Sequence, residues 1–423
     1  MATPTVLPFS AGDLRQVTDE AGRMLDRLRR HGGGPDGSVT RLVYGEAWRG
    51  AMAELEAWFA SGALQVRADA AGSRYGRLAG SAAGDGVVLS GSHVDSVVLG
   101  GAYDGIAGVV MAGCAIRWLA ASVGRPARTL EVLANCEEES SRFASNFWGS
   151  RAIAGAIRPD EPDTLRDDGG VPIGEAMLEC GLDPRRIGEA RRTDLAAFVE
   201  PHIEQGPVLA QTGDVIGVVD RIVGVRGASV TLRGVSGHAG TIPMSHRRDA
   251  LAGAAEVVLG AERLARELDA PTVATVGSMQ VQPGGFNQVP GAARFTIDFR
   301  HPDDAVLDGL EARLRGLVDR VASERGLEAR FERRLGQRGT RFDDRVRGLL
   351  EEACVECGVP WRRMPSHAGH DAQLIAGLCP TGMLFVPSQG GHSHRPDERS
   401  ELDHIGAGIE VLVRTLFRLA YAG

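Results

Sequence analysis

The segment 91–105, GSHVDSVVLGGAYDG, places His93, Asp95 and Asp104 on a glycine-rich loop directly after the apolar run Val87, Val88 and Leu89. Imidazole and carboxylate are ligands that Zn²⁺ and Mn²⁺ accept. A carboxylate has two oxygens, so Asp104 can serve two cations, and Asp95 is spaced to accept the other N–H of the His93 imidazole and fix its tautomer. The segment 135–143, NCEEESSRF, adds Glu137, Glu138 and Glu139 in succession. Adjacent carboxylates repel one another unless cations lie nearby. One can bind a cation while its neighbour stays free to take a proton from bound water. His202 and His394 also follow apolar runs, and together these side chains have the composition of a metal site.

Such a set has to be gathered from distant parts of the chain. Residues 86–93, 129–139, 195–206 and 381–394 each read as a buried strand running into polar residues. Between the first two, GIAGVVMAGCAIRWLAASVG (105–124) suits a helix packed on a sheet. The alternation predicts an α/β fold, a central β-sheet flanked by helices, with ligands bound outside the carboxyl ends of its strands. A second unit follows within 217–337: strand 227–235, helix 246–269, strands 271–282 and 291–301, helix 303–326 and strand 327–336. This βαββαβ order resembles the ferredoxin-like motif. It predicts an inserted domain at 217–337 inside a larger one made of 1–216 and 338–423.

The chain has 423 residues, with 47 Lys and Arg against 55 Asp and Glu and a formal charge of −8. No basic run is present to track a phosphate backbone, which argues against a nucleic-acid partner. Hydrophobic residues make up 43% and charged residues 24%, the balance of a globular protein. The start, MATPTVLPFSAGDLRQVTDE, lacks the pattern of a signal peptide, and the most apolar stretch, around Val109 to Ala121, is interrupted by Arg117. The expectation is therefore a cytoplasmic protein with no membrane span. Cys114, Cys136, Cys180, Cys354, Cys357 and Cys379 suit a reducing compartment better than a disulfide framework. Cys354 and Cys357 have CxxC spacing but stand in a helix-like segment with no second pair. No GxSxG elbow occurs, VPSQGG being the nearest miss, which sets a serine hydrolase aside.

GSHVDS with GGAYDG, EEESSRF, HIEQGPVL, GHAGTIPM, FNQVPG with DFR, and GHSHRPDE follow one another between about Thr40 and Glu398. Together they resemble the metal-dependent hydantoinase/carbamoylase amidases. That family includes N-carbamoyl-L-amino-acid hydrolases, β-ureidopropionases and allantoate amidohydrolases, within a clan of dinuclear zinc aminopeptidases and carboxypeptidases. The resemblance implies an aminopeptidase-like catalytic domain, with 217–337 as a lid and dimerisation domain. It implies two divalent metal ions, zinc or manganese with cobalt also suited. His93, Asp104 and His202 would surround one and Asp104, Glu139 and His394 the other, with Glu138 as general base. His238 of SGHAG matches a lid histidine that reaches the partner subunit's active site to stabilise the oxyanion. Gln205, Asn287 and Arg300 match positions that hold the substrate's amide and carboxylate.

The activity so implied is that of a homodimeric amidohydrolase cleaving a non-peptide C–N bond of a small ureido or amide carboxylate through metal-activated water. CEEESSRF followed by FWGSRAIAG is closer to allantoate amidohydrolases than to carbamoylases acting on amino acids. Two alternatives stand beside it: a peptidase or aminoacylase of the same clan, and a metal-binding protein without turnover. Glu138 beside Glu139 argues against the latter, because a purely structural site needs no free base. The chain departs from the family pattern at Ser140, where glycine is usual, and at His392, where an aliphatic residue is common. SHRPDE aligns His394 as the ligand, leaving His392 a bystander, and His370 of AGHDAQ is read as packing beside the site.

Overall fold

The structure is a computed structural model and describes residues 7–82, 84, 86–268 and 271–421. Its backbone forms two compact units, one of Met1–Asp220, Phe342–Met364 and Gly369–Gly423, the other of Arg221–Arg341 and Pro365–Ala368.

The sheet of the first unit runs in the order Gln65–Ala68, Arg74–Leu78, Thr129–Asn135, Val87–His93, Leu195–Ile203, Thr381–Val386 and Ile216–Ile222. Its central strands, from Thr129–Asn135 to Thr381–Val386, pair in parallel. Every residue of Val87–His93, Thr129–Asn135 and Thr381–Val386 is buried. Parallel strands covered on both faces read as continuous apolar runs rather than as alternation, which is why these segments stand out in the sequence. The helix Ile106–Ser122 is apolar nearly all round and packs against this sheet and against the helices Ala11–Arg29 and Leu402–Ala420. Arg117, which interrupts its apolar run, pairs with Glu20 at 2.9 Å.

Parallel pairing decides where the chemistry collects. The register sets His93 opposite Asn135 and His202 opposite Phe385. The strands therefore end at one edge of the sheet, and the segments bearing His93, Glu137–Glu139, His202 and His394 leave it on the same side.

In the second unit, four antiparallel strands lie in the order Glu328–Gln337, Gly224–Arg233, Ala292–His301 and Val273–Gln282. Along Ala292–His301, Ala293, Phe295, Ile297 and Phe299 are buried at every second position. Their side chains join Leu307, Leu310, Leu314 and Val318 of the helix Asp304–Arg325 in a separate core. The expected α/β architecture and βαββαβ order are borne out. The helix expected at 246–269 starts later, at Ala250, because the Asp249 side chain accepts hydrogen bonds from the N–H groups of Leu251 and Ala252 and caps it there. Asp269, its expected last residue, lies outside the described residues.

Among the described residues no helix is long and apolar enough to cross a membrane. Cys354 and Cys357 stand on the helix Asp344–Cys357, where burial pushes both thiols up to about 12.

Candidate metal centre

His93 closes its strand and is buried. Its Nδ1 lies 3.1 Å from the Asp95 carbonyl oxygen and 3.3 Å from Asp95 Oδ1, so Nε2 is the nitrogen turned to Asp104 Oδ1, at 3.7 Å. His202 repeats the arrangement: Nδ1 is 2.9 Å from the Ile203 carbonyl oxygen, and Nε2 is 3.3 Å from Asp104 Oδ1. The N–H of Gly105 donates to that same Nε2 at 3.3 Å, which marks it as a lone-pair acceptor. Asp104 Oδ1 itself is buried and has no hydrogen-bond donor. An orphaned carboxylate oxygen facing two imidazole nitrogens is a donor set that fits a divalent cation.

The other oxygen of Asp104 faces a different group. Oδ2 accepts from Gln205 Nε2 at 2.9 Å and Ser393 Oγ at 3.2 Å, and lies 3.0 Å from His394 Nε2, itself 3.3 Å from Glu139 Oε1. The ligand-type atoms of His93, Asp104 and His202 lie within 4.8 Å of one another, as do those of Asp104, Glu139 and His394. Asp104 belongs to both sets. His93, Glu138 and Glu139 form a further set of this kind, and so do Glu200, His202 and His370.

The electrostatics show what the cluster demands. Burial holds His202 down to about 4, as a neutral imidazole. Burial opposes charge on His93 too, but the hydrogen bond to Asp95 and the charges of Glu138, Asp95 and Asp104 raise its pKa well above the usual range. His394 is raised to about 10, first by its hydrogen bond to Asp104 and then by Glu139. Burial would raise Asp104, yet His394, His202 and His93 together bring it down. Burial raises Glu138 well above an ordinary carboxyl, and Glu139, Asp371 and Asp95 add to the rise against His93. The carboxylates thus favour positive charge at this spot, which protons supply on the histidines and a divalent cation would supply instead.

Two residues hold the ligand segments in place. Asp95 is buried, and its two oxygens accept the N–H groups of Glu138 at 2.9 Å and Glu139 at 3.1 Å, so one carboxylate fixes both His93 and the glutamate pair. Glu398 holds more. Its Oε1 accepts from the N–H groups of Tyr103 and Asp104, both at 2.9 Å, and its Oε2 accepts from Ser393 Oγ at 3.0 Å and His394 N–H at 3.3 Å. A Cβ on Gly105 would stand 2.4 Å from the His93 ring, and one on Gly101 would stand 2.1 Å from Glu398 Oε1. Gly105 and Gly101 thus leave the space that His93 and Glu398 need.

Comparison with known proteins adds the family. A model described as peptidase family M20/M25/M40 matches residues 91–418. The chain belongs to the M20/M25/M40 family. Within it, the chain is 39% identical to the allantoate amidohydrolase of Escherichia coli (strain K12), over 96% of this chain and 98% of that protein. It is 41% identical to the N-carbamoyl-L-amino-acid amidohydrolase of Paenarthrobacter aurescens, over 93% of this chain and 95% of that one. The crystal structure of a hydantoinase/carbamoylase family amidase from Burkholderia multivorans matches with a TM-score of 0.88 at 36% identity, covering 95% of this chain and 98% of that chain. The family resemblance carried by the motifs is borne out.

In this M20/M25/M40 chain, the residues singled out in the sequence fall into two sets. His93, Asp95, Asp104, Glu138, Glu139, His202, Gln205 and His394 come together in the first unit. The second unit carries His238, Asn287 and Arg300. There Gly237–His238 pairs with Gln288–Val289, and the Ala239 N–H donates to the Asn287 carbonyl oxygen at 2.9 Å, which sets His238 and Asn287 side by side on the surface. His392 pairs with Asp397 at 2.9 Å, outside the ligand sets. His370 is buried with its ring edge-on to His202, centroids 4.5 Å apart. Glu137 turns away from the cluster to accept from Ser145 Oγ at 2.6 Å and the Trp148 N–H at 2.8 Å. Ser140 has φ 57°, a left-handed conformation that glycine adopts without steric cost.

Glu398 was not read from the sequence, although its signal is there: it closes SHRPDE four residues after His394. Glu398→Gln presents an amide N–H₂ to donors that need an acceptor. The expected result, measured by titrating metal into stripped protein, is a fall in affinity of about 10–100-fold, the usual cost of losing a group that orients metal ligands.

Proposed function

We propose that this chain is a divalent-metal amidohydrolase that cleaves a non-peptide C–N bond of a linear ureido acid, as a homodimer with two ions per chain. The observation that carries the reading is Asp104, one buried carboxylate whose oxygens face two different sets of ligand-type side chains. The names of its relatives supply the substrate class, allantoate or an N-carbamoyl-L-amino acid. His and carboxylate donors suit zinc and manganese, and cobalt as well.

His93, Asp104 and His202 would hold one ion, and Asp104, Glu139 and His394 the other. A bound divalent cation acidifies water and polarises a carbonyl, the chemistry that ureido and amide groups require. Glu138 takes the proton from the attacking water on its carboxylate and passes it to the leaving nitrogen. The imidazole of His238 of the partner subunit donates to the oxygen that gains charge, and one such donor is worth about 10²–10³ in rate. Gln205 and Asn287 hold the amide. Arg300 takes the substrate carboxylate through two parallel N–H groups.

Ammonia release from allantoate, ureidoglycine and a set of N-carbamoyl-L-amino acids tests the reading, with amino-acid release from N-acyl amino acids and dipeptides measured alongside. Turnover of the ureido acids is expected. Cleavage confined to dipeptides or N-acyl amino acids would replace it with the clan peptidase or aminoacylase. Arg300→Ala should raise KM for a ureido carboxylate by about 10–100-fold, the range expected for lost hydrogen bonds between charged groups, and spare its neutral amide. Equal effects on both would remove Arg300 as the anchor.

A further inference from the structure

In the second unit, Arg300 is held by three acceptors. Nε donates to Asp298 Oδ1 at 2.9 Å and Nη2 to Asp298 Oδ2 at 3.3 Å, so one side-on edge of the guanidinium is filled. Nη1 donates to the His367 carbonyl oxygen at 2.6 Å. Asp298 and Arg300 stand two residues apart on Ala292–His301, on the face opposite Ile297 and Phe299, which are buried in the core. Both side chains remain part-exposed, at 41% and 34% of their surface.

A guanidinium carries five N–H donors in a rigid plane, and three are accounted for. One N–H on each Nη remains, and that of Nη2 points away from the edge that Asp298 fills, toward the end of the guanidinium. We infer that Asp298 is a positioning residue: it occupies the side-on edge of Arg300, with the His367 carbonyl on Nη1, so that a substrate carboxylate must meet the Nη end of the guanidinium and not its Nε edge. Asp298 also balances the charge of Arg300, so the pair suits a single carboxylate and disfavours a dianion. The substrate class is thereby narrowed to ureido acids with one carboxylate at this position. An isolated surface ion pair contributes little, but here a carbonyl from a separate segment locks the same guanidinium, which fixes its orientation and not merely its charge. The inference rests on the reading of Arg300 as the carboxylate anchor.

The test compares Asp298→Asn, Asp298→Glu and Arg300→Ala in the full chain loaded with metal, each checked for an unchanged melting temperature. Asn keeps the shape of Asp but offers one acceptor, and its N–H₂ opposes a guanidinium N–H. The expected result for Asp298→Asn is a KM about tenfold higher for a monocarboxylate ureido acid, the equivalent of one charge-assisted hydrogen bond. Its kcat should change much less, and the neutral amide of the same substrate should show no such rise. Partial recovery in Asp298→Glu, which restores both oxygens, is also expected. A lower KM in Asp298→Asn would mean that Asp298 only weakens the positive charge, and would overturn the inference, as would equal effects on acid and amide. If Arg300→Ala leaves KM unchanged, the anchor itself falls and Asp298 with it. If Arg300→Ala raises KM while Asp298→Asn does not, only the positioning role falls.

Discussion

Glu138→Gln is expected to keep its metal and lose turnover by about 10²–10⁴-fold, the range that positioned general acid–base groups contribute. Gln has the size of Glu and cannot take a proton. The main-chain N–H of residue 138 still reaches Asp95 at 2.9 Å, and His93 keeps its own contacts with Asp95, so the change leaves the frame intact. Burial and the neighbouring carboxylates push Glu138 upward from the ordinary carboxyl range, which matches its proton affinity to work nearer neutral pH. Metal content by mass spectrometry and ammonia release under saturating substrate check both halves. Ordinary turnover in this variant would move the base elsewhere, and loss of metal would make Glu138 a ligand instead.

Asp104→Asn should have an effect as large by a different route. Its two oxygens serve two sets of partners, Nε2 of His93 and His202 on one side and His394 on the other. An Asn offers an oxygen to one set only and turns an N–H₂ group, which no cation accepts, toward the other. Bound metal should fall to half or less of that in the unaltered chain, and ureido hydrolysis to background. The stabilisation that metal gives the stripped protein should shrink accordingly: at a hundredfold excess over Kd a retained site contributes about 2.7 kcal/mol, seen as a rise in Tm. A variant that binds the same amount of metal with the same rise in Tm would refute the shared carboxylate.

Much of the architecture was legible because its signals are local. Val87–Leu89 and Met383–Val386 are apolar runs that only a strand covered on both faces requires, and Ala293, Phe295, Ile297 and Phe299 alternate as a one-sided strand must. The site was legible where a His or Glu follows such a run. What pattern could not reach depends on register and on side chains that meet across the fold. Glu398 looks like one more surface charge in RPDERS until the structure brings Tyr103 and Asp104 to it from almost three hundred residues away. Asp298 reads as half of a strand-face ion pair until the His367 carbonyl reaches the same guanidinium. The helix onset at Ala250 was placed too early because His246, Arg247 and Arg248 carry no helix-breaking residue, and only the hydrogen bonds of the Asp249 side chain to the N–H groups of Leu251 and Ala252 fix the start.

The grip of Glu398 has a kinetic corollary. The amides of Tyr103, Asp104 and His394 all donate to this one side chain. None can meet solvent while the carboxylate stays in place, so the three protons should exchange with deuterium at a common rate, set by a single opening event rather than by separate fraying of two loops.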